Sequence, residues 1–150
     1  MKKSKTYIFL IIMISVASCK TRSTNPTVDT TATYKTLDEI NDGQVYGSKC
    51  GIIGTDPILR TKSESFIIEM KIDSIKNWFN DSLNTIKQVY AAESLIRLFN
   101  SDSINLSTTE IKTIKDLKLS QKSILSCSGC VYNYKRIQEL LFRFKLKEEK

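Results

Sequence analysis

Apolar side chains recur at helical spacing through most of the second half of the chain. The interval of i, i+4, i+7 and i+11 predicts a helix over about residues 63–79, with the face Ile68, Ile72, Ile75 and Phe79. The segment Ser65–Ile68 is also rich in strand-forming residues, so both helix and strand stay open for residues 64–72. In the strand alternative, Asp73 and Ser74 cap a shorter helix.

A wider apolar face follows over residues 85–99. Thr85 and Gln88 have the form of a capping box at its start. Two adjacent apolar stripes predict the central, most buried helix, and they consist of Val89, Ala92, Ile96 and Phe99, and of Ala91, Leu95 and Leu98. Glu93 and Arg97 are four residues apart, and we expect them to pair on the open side of this helix.

A second capping box, Ser107 to Glu110, predicts a helix that extends to about Leu119. Its apolar positions are Ile111, Ile114 and Leu117. Residues 85–119 thereby resemble one helical hairpin of the HEAT-repeat type, although no second copy of the unit follows. The short stretch before Cys127 is mixed, and Ile124 and Leu125 are candidates for extended structure.

The last periodic segment predicts a helix over residues 131–145, with Tyr134, Ile137, Leu141 and Phe144 on one face. Four of the five glycines lie in residues 37–62, which are therefore expected to be irregular. The sequence predicts an all-α fold, a small bundle of about four helices after this Gly-rich segment. The single helical domain spans residues 37–145, and residues 146–150 form a frayed tail.

The first part of the chain has the pattern of an export signal. A lysine-rich head precedes an apolar run from Tyr7 to Val16, and the small residues Val16-Ala17-Ser18 lead to Cys19. This stretch resembles the lipobox of bacterial lipoproteins. The resemblance implies that residues 1–18 are a cleaved signal peptide and that the Cys19 thiol carries diacylglycerol. Lys20 follows the lipidated position and, by the same resemblance, favours the outer membrane if the cell has one.

Residues 19–36 are predicted to be a flexible lipidated tether. Seven of the seventeen residues from Lys20 to Thr36 are threonine, and such a polar segment buries too little surface to offset its ordering entropy. Removal of the signal lowers the net charge from +7 to about +4. This mild excess does not indicate nucleic-acid binding, but it allows contact with an acidic partner or anionic head groups.

The chain has no histidine, which excludes Ser-His-Asp and Cys-His nucleophiles and the usual imidazole metal ligand. No catalytic residue, cofactor or metal site is predicted, so we expect a protein that is not an enzyme. A carboxylate pair, a Ser-Lys dyad or thiol chemistry stays possible. No two acidic residues are marked as convergent among Asp56, Asp73, Asp81, Glu93, Asp102 and Glu110, and no Ser-Lys dyad is marked either.

Three cysteines remain besides Cys19, namely Cys50, Cys127 and Cys130. An exported protein meets an oxidising compartment, so one disulfide is expected, and all three pairings are open. Pairing of Cys127 with Cys130 is the form that redox motifs take. A thioredoxin-like protein, however, has a βαβ unit before the motif and most of its sheet after it, whereas only twenty residues follow Cys130.

These observations predict a lipid-anchored protein of the cell envelope. Membrane lipid is its partner through Cys19, and its folded domain binds an unidentified envelope protein or has a structural role. One alternative is an immunity or inhibitor lipoprotein that neutralises a toxin acting in the envelope. Another is a thiol-disulfide redox protein that uses Cys127 and Cys130.

Overall fold

The structure, a computed structural model, describes residues 44–147. Within this range the chain forms five α-helices and three β-strands. In chain order these are β1 (Tyr46–Cys50), α1 (Ile58–Ile68), α2 (Ile72–Phe79), α3 (Thr85–Asn100), α4 (Thr108–Lys118), β2 (Ser123–Gly129), β3 (Val131–Arg136) and α5 (Ile137–Leu141). The predicted signal peptide, Cys19 and the tether lie outside the described residues.

The three strands form one mixed sheet in the order β1-β2-β3. β1 runs parallel to β2, with Tyr46 opposite Ser126 and Ser48 opposite Ser128. β2 and β3 are antiparallel, with Ser126 opposite Asn133. Helices α1 to α4 lie between β1 and β2 in the chain, so the parallel pair joins segments that are far apart in sequence.

The all-α prediction is wrong, because the described residues form a mixed α/β fold. The helix predicted over 131–145 is strand β3 followed by the short helix α5. Val131, Tyr132 and Tyr134 favour extended structure, and pairing with β2 satisfies the backbone groups on one side of the strand. β1 likewise occupies part of the segment that was expected to be irregular.

The helix predicted over 63–79 is two helices, and the strand alternative for residues 64–72 is wrong as well. α1 begins after Pro57, which needs no hydrogen-bond partner for its nitrogen. It ends at Ile68, and Met70 then adopts a left-handed φ of 52° while the Lys71 amide donates to the Phe66 carbonyl. Since the helix axis changes here, Ile68 is 80% exposed rather than part of a continuous buried face.

α3 is the central helix, as the sequence predicts, and ten of its sixteen residues are buried. It packs against α1 and α2, whereas α4 packs mainly against α5. The capping box at Ser107 and Glu110 is confirmed at the start of α4. The cap of α3 is one residue earlier than predicted, because the Asn84 side chain accepts a hydrogen bond from the Lys87 amide.

The main core lies between the helices and one face of the sheet. Tyr46 and Ile124 contribute to it from the strands, and Ile137, Leu141 and Leu146 contribute from the C-terminal segment. Leu146 is fully buried, although the sequence places it at the start of the tail. A second, smaller cluster of Val45, Cys50 and Cys127 belongs to the opposite face, because alternate strand residues point to opposite sides.

Candidate functional site

A buried carboxylate lies where β1, α1 and α3 meet. Glu93 of α3 is only 3% exposed. The Tyr46 hydroxyl donates to its Oε2 over 2.6 Å, and Arg60 Nη1 donates to its Oε1 over 2.7 Å. A buried charge is tolerated when it is paired and hydrogen-bonded, and both oxygens of Glu93 meet this condition.

A series of ion pairs extends from the buried Glu93 to more exposed residues. Arg60 also pairs with Glu64 at 2.8 Å, and Glu64 pairs with Arg97 at 2.6 Å. Arg97 lies 3.9 Å from Glu93, so the predicted pair exists. Its expected position on the open side is wrong, because the Glu93 side chain points into the protein.

The two buried tyrosines of this region remain protonated. Burial, followed by the negative charge of Glu93, raises the pKa of Tyr46 well above its ordinary value. Burial likewise raises the pKa of Tyr90. Burial alone lowers the pKa of Arg60, but the charge and hydrogen bond of Glu93 more than offset this effect and raise it overall. Arg60 therefore stays a cation and Tyr46 stays a hydrogen-bond donor.

Tyr90 covers the free edge of β1. Its hydroxyl accepts a hydrogen bond from the Gly47 amide at 2.9 Å and donates to the Gly47 carbonyl at 3.1 Å. The ring of Tyr90 lies 4.7 Å from that of Tyr46, centroid to centroid. The backbone groups of Gly47 are therefore satisfied by a helix side chain rather than by another strand.

The structure joins Cys50 to Cys127 in a disulfide across a sequence separation of 77 residues, with a Cα–Cα distance of 5.6 Å. Cys130 is exposed, in the turn between β2 and β3. Of the three pairings that the sequence left open, the structure has the one that ties β1 to β2. The lipidation candidate Cys19 lies outside the part of the chain that the structure describes.

A cleft of about 260 Å³ opens between the sheet and α5, and we call it the α5 cleft. Its floor is formed by the sheet, with the serines Ser48, Ser126 and Ser128. Charged residues also line it, namely Lys135, Glu139 and Arg143. The full lining is Tyr46, Gly47, Ser48, Ser126, Cys127, Ser128, Lys135, Glu139, Leu140 and Arg143. Tyr46 belongs both to this cleft and to the hydrogen bonds around Glu93.

The α5 cleft has an excess of positive charge. Arg136 Nε pairs with Glu139 Oε1 at 2.5 Å, which neutralises the one carboxylate of the lining. No carboxylate among residues 44–147 lies within ion-pair distance of Lys135 or Arg143. Although burial and Glu93 raise the pKa of the Tyr46 hydroxyl overall, the positive charge of Arg143 lowers it. The arrangement is suited to holding an anionic group.

Three other acidic residues considered from the sequence cap a helix or pair with a nearby group, and they do not converge on one site. Asp56 accepts a hydrogen bond from the Lys49 amide at 2.8 Å, and this bond is the main reason why the pKa of Asp56 is lowered. Glu110 caps α4, and Asp102 pairs with Lys147. Within residues 44–147, no group of three or more cysteine or acidic side chains is placed to hold a metal ion.

Sequence reasoning missed both the burial of Glu93 and the α5 cleft. A glutamate between Ala92 and Ser94, inside the most apolar helix, was a visible signal for the first. The second depends on two strands that the sequence analysis did not predict. Ser128-Gly129-Cys130-Val131 has the form of a two-residue hairpin turn and was the available signal for them.

Comparisons with protein families, with curated proteins and with solved structures found no match to this chain. Among the helices within residues 44–147, none is both long and apolar enough to cross a membrane.

Proposed function

We propose that this protein is a lipoprotein of the cell envelope, anchored through Cys19, whose mixed α/β domain binds an extended segment of a partner protein. The observation that carries the binding role is the free edge of β3. Within residues 44–147 this strand pairs only with β2, whereas Tyr90 covers the edge of β1. An open edge strand is a template for another strand, and many proteins recognise peptides in this way.

The side chains of β3 support the proposal. Val131 is 61% exposed and Tyr134 is 72% exposed, so the strand presents apolar surface to solvent. Exposed aromatic residues on an open edge favour protein contacts, since tyrosine combines a large apolar area with a polar end. An immunity or inhibitor role is one form of this proposal, in which the bound partner is a toxin.

The disulfide supports export to an oxidising compartment. Cys50 and Cys127 form a small buried cluster with Val45, and their disulfide links β1 to β2. This position supports a structural role for these two cysteines.

The anchor is tested by labelling cells with a palmitate analogue. We expect label on the wild-type protein and none on Cys19→Ala, because the acyl chains are expected to depend on the Cys19 thiol. Unlabelled wild-type protein would contradict the lipoprotein proposal.

Partner binding is tested by affinity capture of the full chain from its own membranes. We expect Val131→Lys with Tyr134→Lys to lose the captured protein, because edge lysines oppose strand addition. Ile68→Lys is the matched control, because it removes an apolar side chain that is also largely exposed, at the end of α1. Equal capture by both variants would contradict binding at β3.

A further inference from the structure

We propose that the turn at residues 51–54 inserts two isoleucines into the surface of a phospholipid bilayer. This inference rests on the proposed membrane anchor and goes beyond it, because it names the part of the folded domain that touches the lipid. We call the residues Gly51, Ile52, Ile53 and Gly54 the isoleucine turn.

Two apolar side chains stand at the apex of the isoleucine turn. Ile52 is 87% exposed and Ile53 is 90% exposed, so both make few contacts with their own domain. A Cβ atom added at Gly54 would meet nothing within 4 Å, as expected for a turn that projects from the domain. Tight turns ordinarily carry glycine, proline and small polar residues. Adjacent exposed apolar side chains at such a place indicate a surface that something else covers.

The isoleucine turn is held firmly at its base. Cys50 and Thr55 exchange two backbone hydrogen bonds of 2.6 and 3.1 Å, and the Gly54 amide donates to the Gly51 carbonyl at 3.2 Å. The disulfide from Cys50 to Cys127 fixes the same position to β2. The apex is therefore preorganised, and burial of the isoleucines requires little further ordering.

Polar groups lie at the base of the isoleucine turn, whereas its apex has no polar side chain. The Lys49 amide donates to Asp56 Oδ1 at 2.8 Å, and Lys49 Nζ pairs with Asp56 Oδ2 at 3.5 Å. This division matches a bilayer surface, where apolar groups enter the hydrocarbon and charged ends stay among the head groups. A protein partner would have to offer a complementary groove and hydrogen bonds, whereas fluid lipid needs neither.

The chain before the described residues is long enough for this contact. Residues 19–43 comprise 25 residues, and a flexible coil of that length averages about 25–30 Å from end to end. Gln44 and Ile52 are eight residues apart, so at most about 29 Å separates them. An anchor at Cys19 therefore allows the isoleucine turn to reach the same bilayer.

The isoleucine turn orients the domain rather than attaching it. Two apolar side chains bury too little area for stable membrane binding, which takes a second signal. The anchor supplies that signal, because a tether keeps the turn at a high effective concentration beside the bilayer.

The contact is tested with the full chain in phosphatidylcholine vesicles whose acyl chains carry bromine, which quenches tryptophan fluorescence. Trp78 is the one tryptophan of the chain, so Trp78→Phe gives a silent background. In this background we expect the emission of Ile53→Trp to fall about two-fold relative to unbrominated vesicles, since interfacial side chains reach about 5–10 Å into the bilayer boundary. Leu83→Trp is the matched control, because Leu83 is 97% exposed in a different turn, and its emission should stay unchanged.

Equal quenching of both variants, or of neither, overturns the inference. Hydrogen exchange in the same vesicles is a second measurement that needs no change at Trp78. The amides of residues 52–54 should have higher protection factors in the wild type than in Ile52→Ser with Ile53→Ser, and equal protection also overturns the inference.

The failure of this inference and that of the anchor are distinguishable. Palmitate labelling without quenching leaves the anchor intact and overturns only the isoleucine turn. Quenching without labelling supports the turn and removes the lipid at Cys19. If Ile52→Ser with Ile53→Ser loses the protein captured from membranes, and the tryptophan of Ile53→Trp is not quenched, the turn contacts protein and the inference is wrong.

Discussion

At the scale of single residues, Glu93 shows how a charged side chain is accommodated in the most apolar helix. Its two oxygens accept from Tyr46 and Arg60, which come from β1 and α1. The helical pattern placed Glu93 four residues before Arg97 but did not reveal these donors, because they come from elements distant in sequence. Leaving a buried carboxylate unpaired costs several kcal/mol, so the three elements are constrained to meet at this point.

Gly47 is a residue at which the addition of a single methyl group should destabilise the fold. A Cβ atom at this position would overlap the Cys127 carbonyl oxygen and lie 2.7 Å from Cys127 Sγ. The φ of 151° is also rarely adopted by other residues. We expect Gly47→Ala to lower the free energy of unfolding by about 1–3 kcal/mol, as overpacking does, measured by chemical denaturation.

Gly54→Ala is the control for this substitution. Gly54 also has a positive φ, of 67°, but nothing lies within 4 Å of an added Cβ atom. Only backbone strain of about 1 kcal/mol is then expected. If the two variants lose the same stability, the close approach to Cys127 is not what requires glycine at position 47.

At the scale of secondary-structure elements, the helices with strong local signals were predicted well and the strands were not. The capping box of α4 uses residues three positions apart, so the sequence contains the whole signal. β3 was predicted as helix because Tyr134, Ile137 and Leu141 happen to follow helical spacing. Its pairing with β2 and the left-handed Gly129 in the turn, with φ of 58°, decided the outcome.

The cap of α4 makes part of the stability depend on pH. The Ser107 amide donates to Glu110 at 2.8 Å, and Lys76 pairs with Glu110 at 2.9 Å. Burial alone raises the pKa of Glu110, but these contacts outweigh it and lower the pKa below the ordinary value of 4.5. The stabilisation is therefore present above about pH 4.5 and is lost as the pH falls through the lowered pKa.

We expect Glu110→Gln to be less stable than the wild type at pH 7, by about 1 kcal/mol, and the difference to shrink at pH 3. Urea denaturation at both pH values measures this. Asp116→Asn removes a carboxylate from the same helix away from its cap and serves as the control. A difference between wild type and Glu110→Gln that stays constant with pH would speak against the capping carboxylate.

At the scale of the whole molecule, β1 is attached to the rest of the fold through contacts that span most of the described chain. The disulfide from Cys50 to Cys127 closes a loop of 77 residues that contains α1 to α4. A bridge over such a loop restricts the unfolded chain strongly, which stabilises the native state in the chain-entropy account. The same bridge keeps Ser48 beside Ser128 on the floor of the α5 cleft.

Replacing both cysteines, Cys50→Ala with Cys127→Ala, should lower the free energy of unfolding by about 4 kcal/mol. A reducing agent should likewise destabilise the wild type. Peptide mapping by mass spectrometry should find Cys50 linked to Cys127. A Cys127–Cys130 link in all molecules would contradict the pairing and would revive the redox alternative.

The sequence by itself determined what depends on neighbouring residues: the central helix α3, the capping box of α4 and the resemblance of Val16-Ala17-Ser18-Cys19 to a lipobox. These signals are local, because helix hydrogen bonds and caps join residues three or four positions apart. The tertiary structure alone decided the sheet, the Cys50–Cys127 pairing, the burial of Glu93 and the α5 cleft. The β1–β2 pairing, the disulfide and the contacts of Glu93 each join residues more than thirty positions apart, and a strand or a buried charge is stable only once its distant partners have been brought to it.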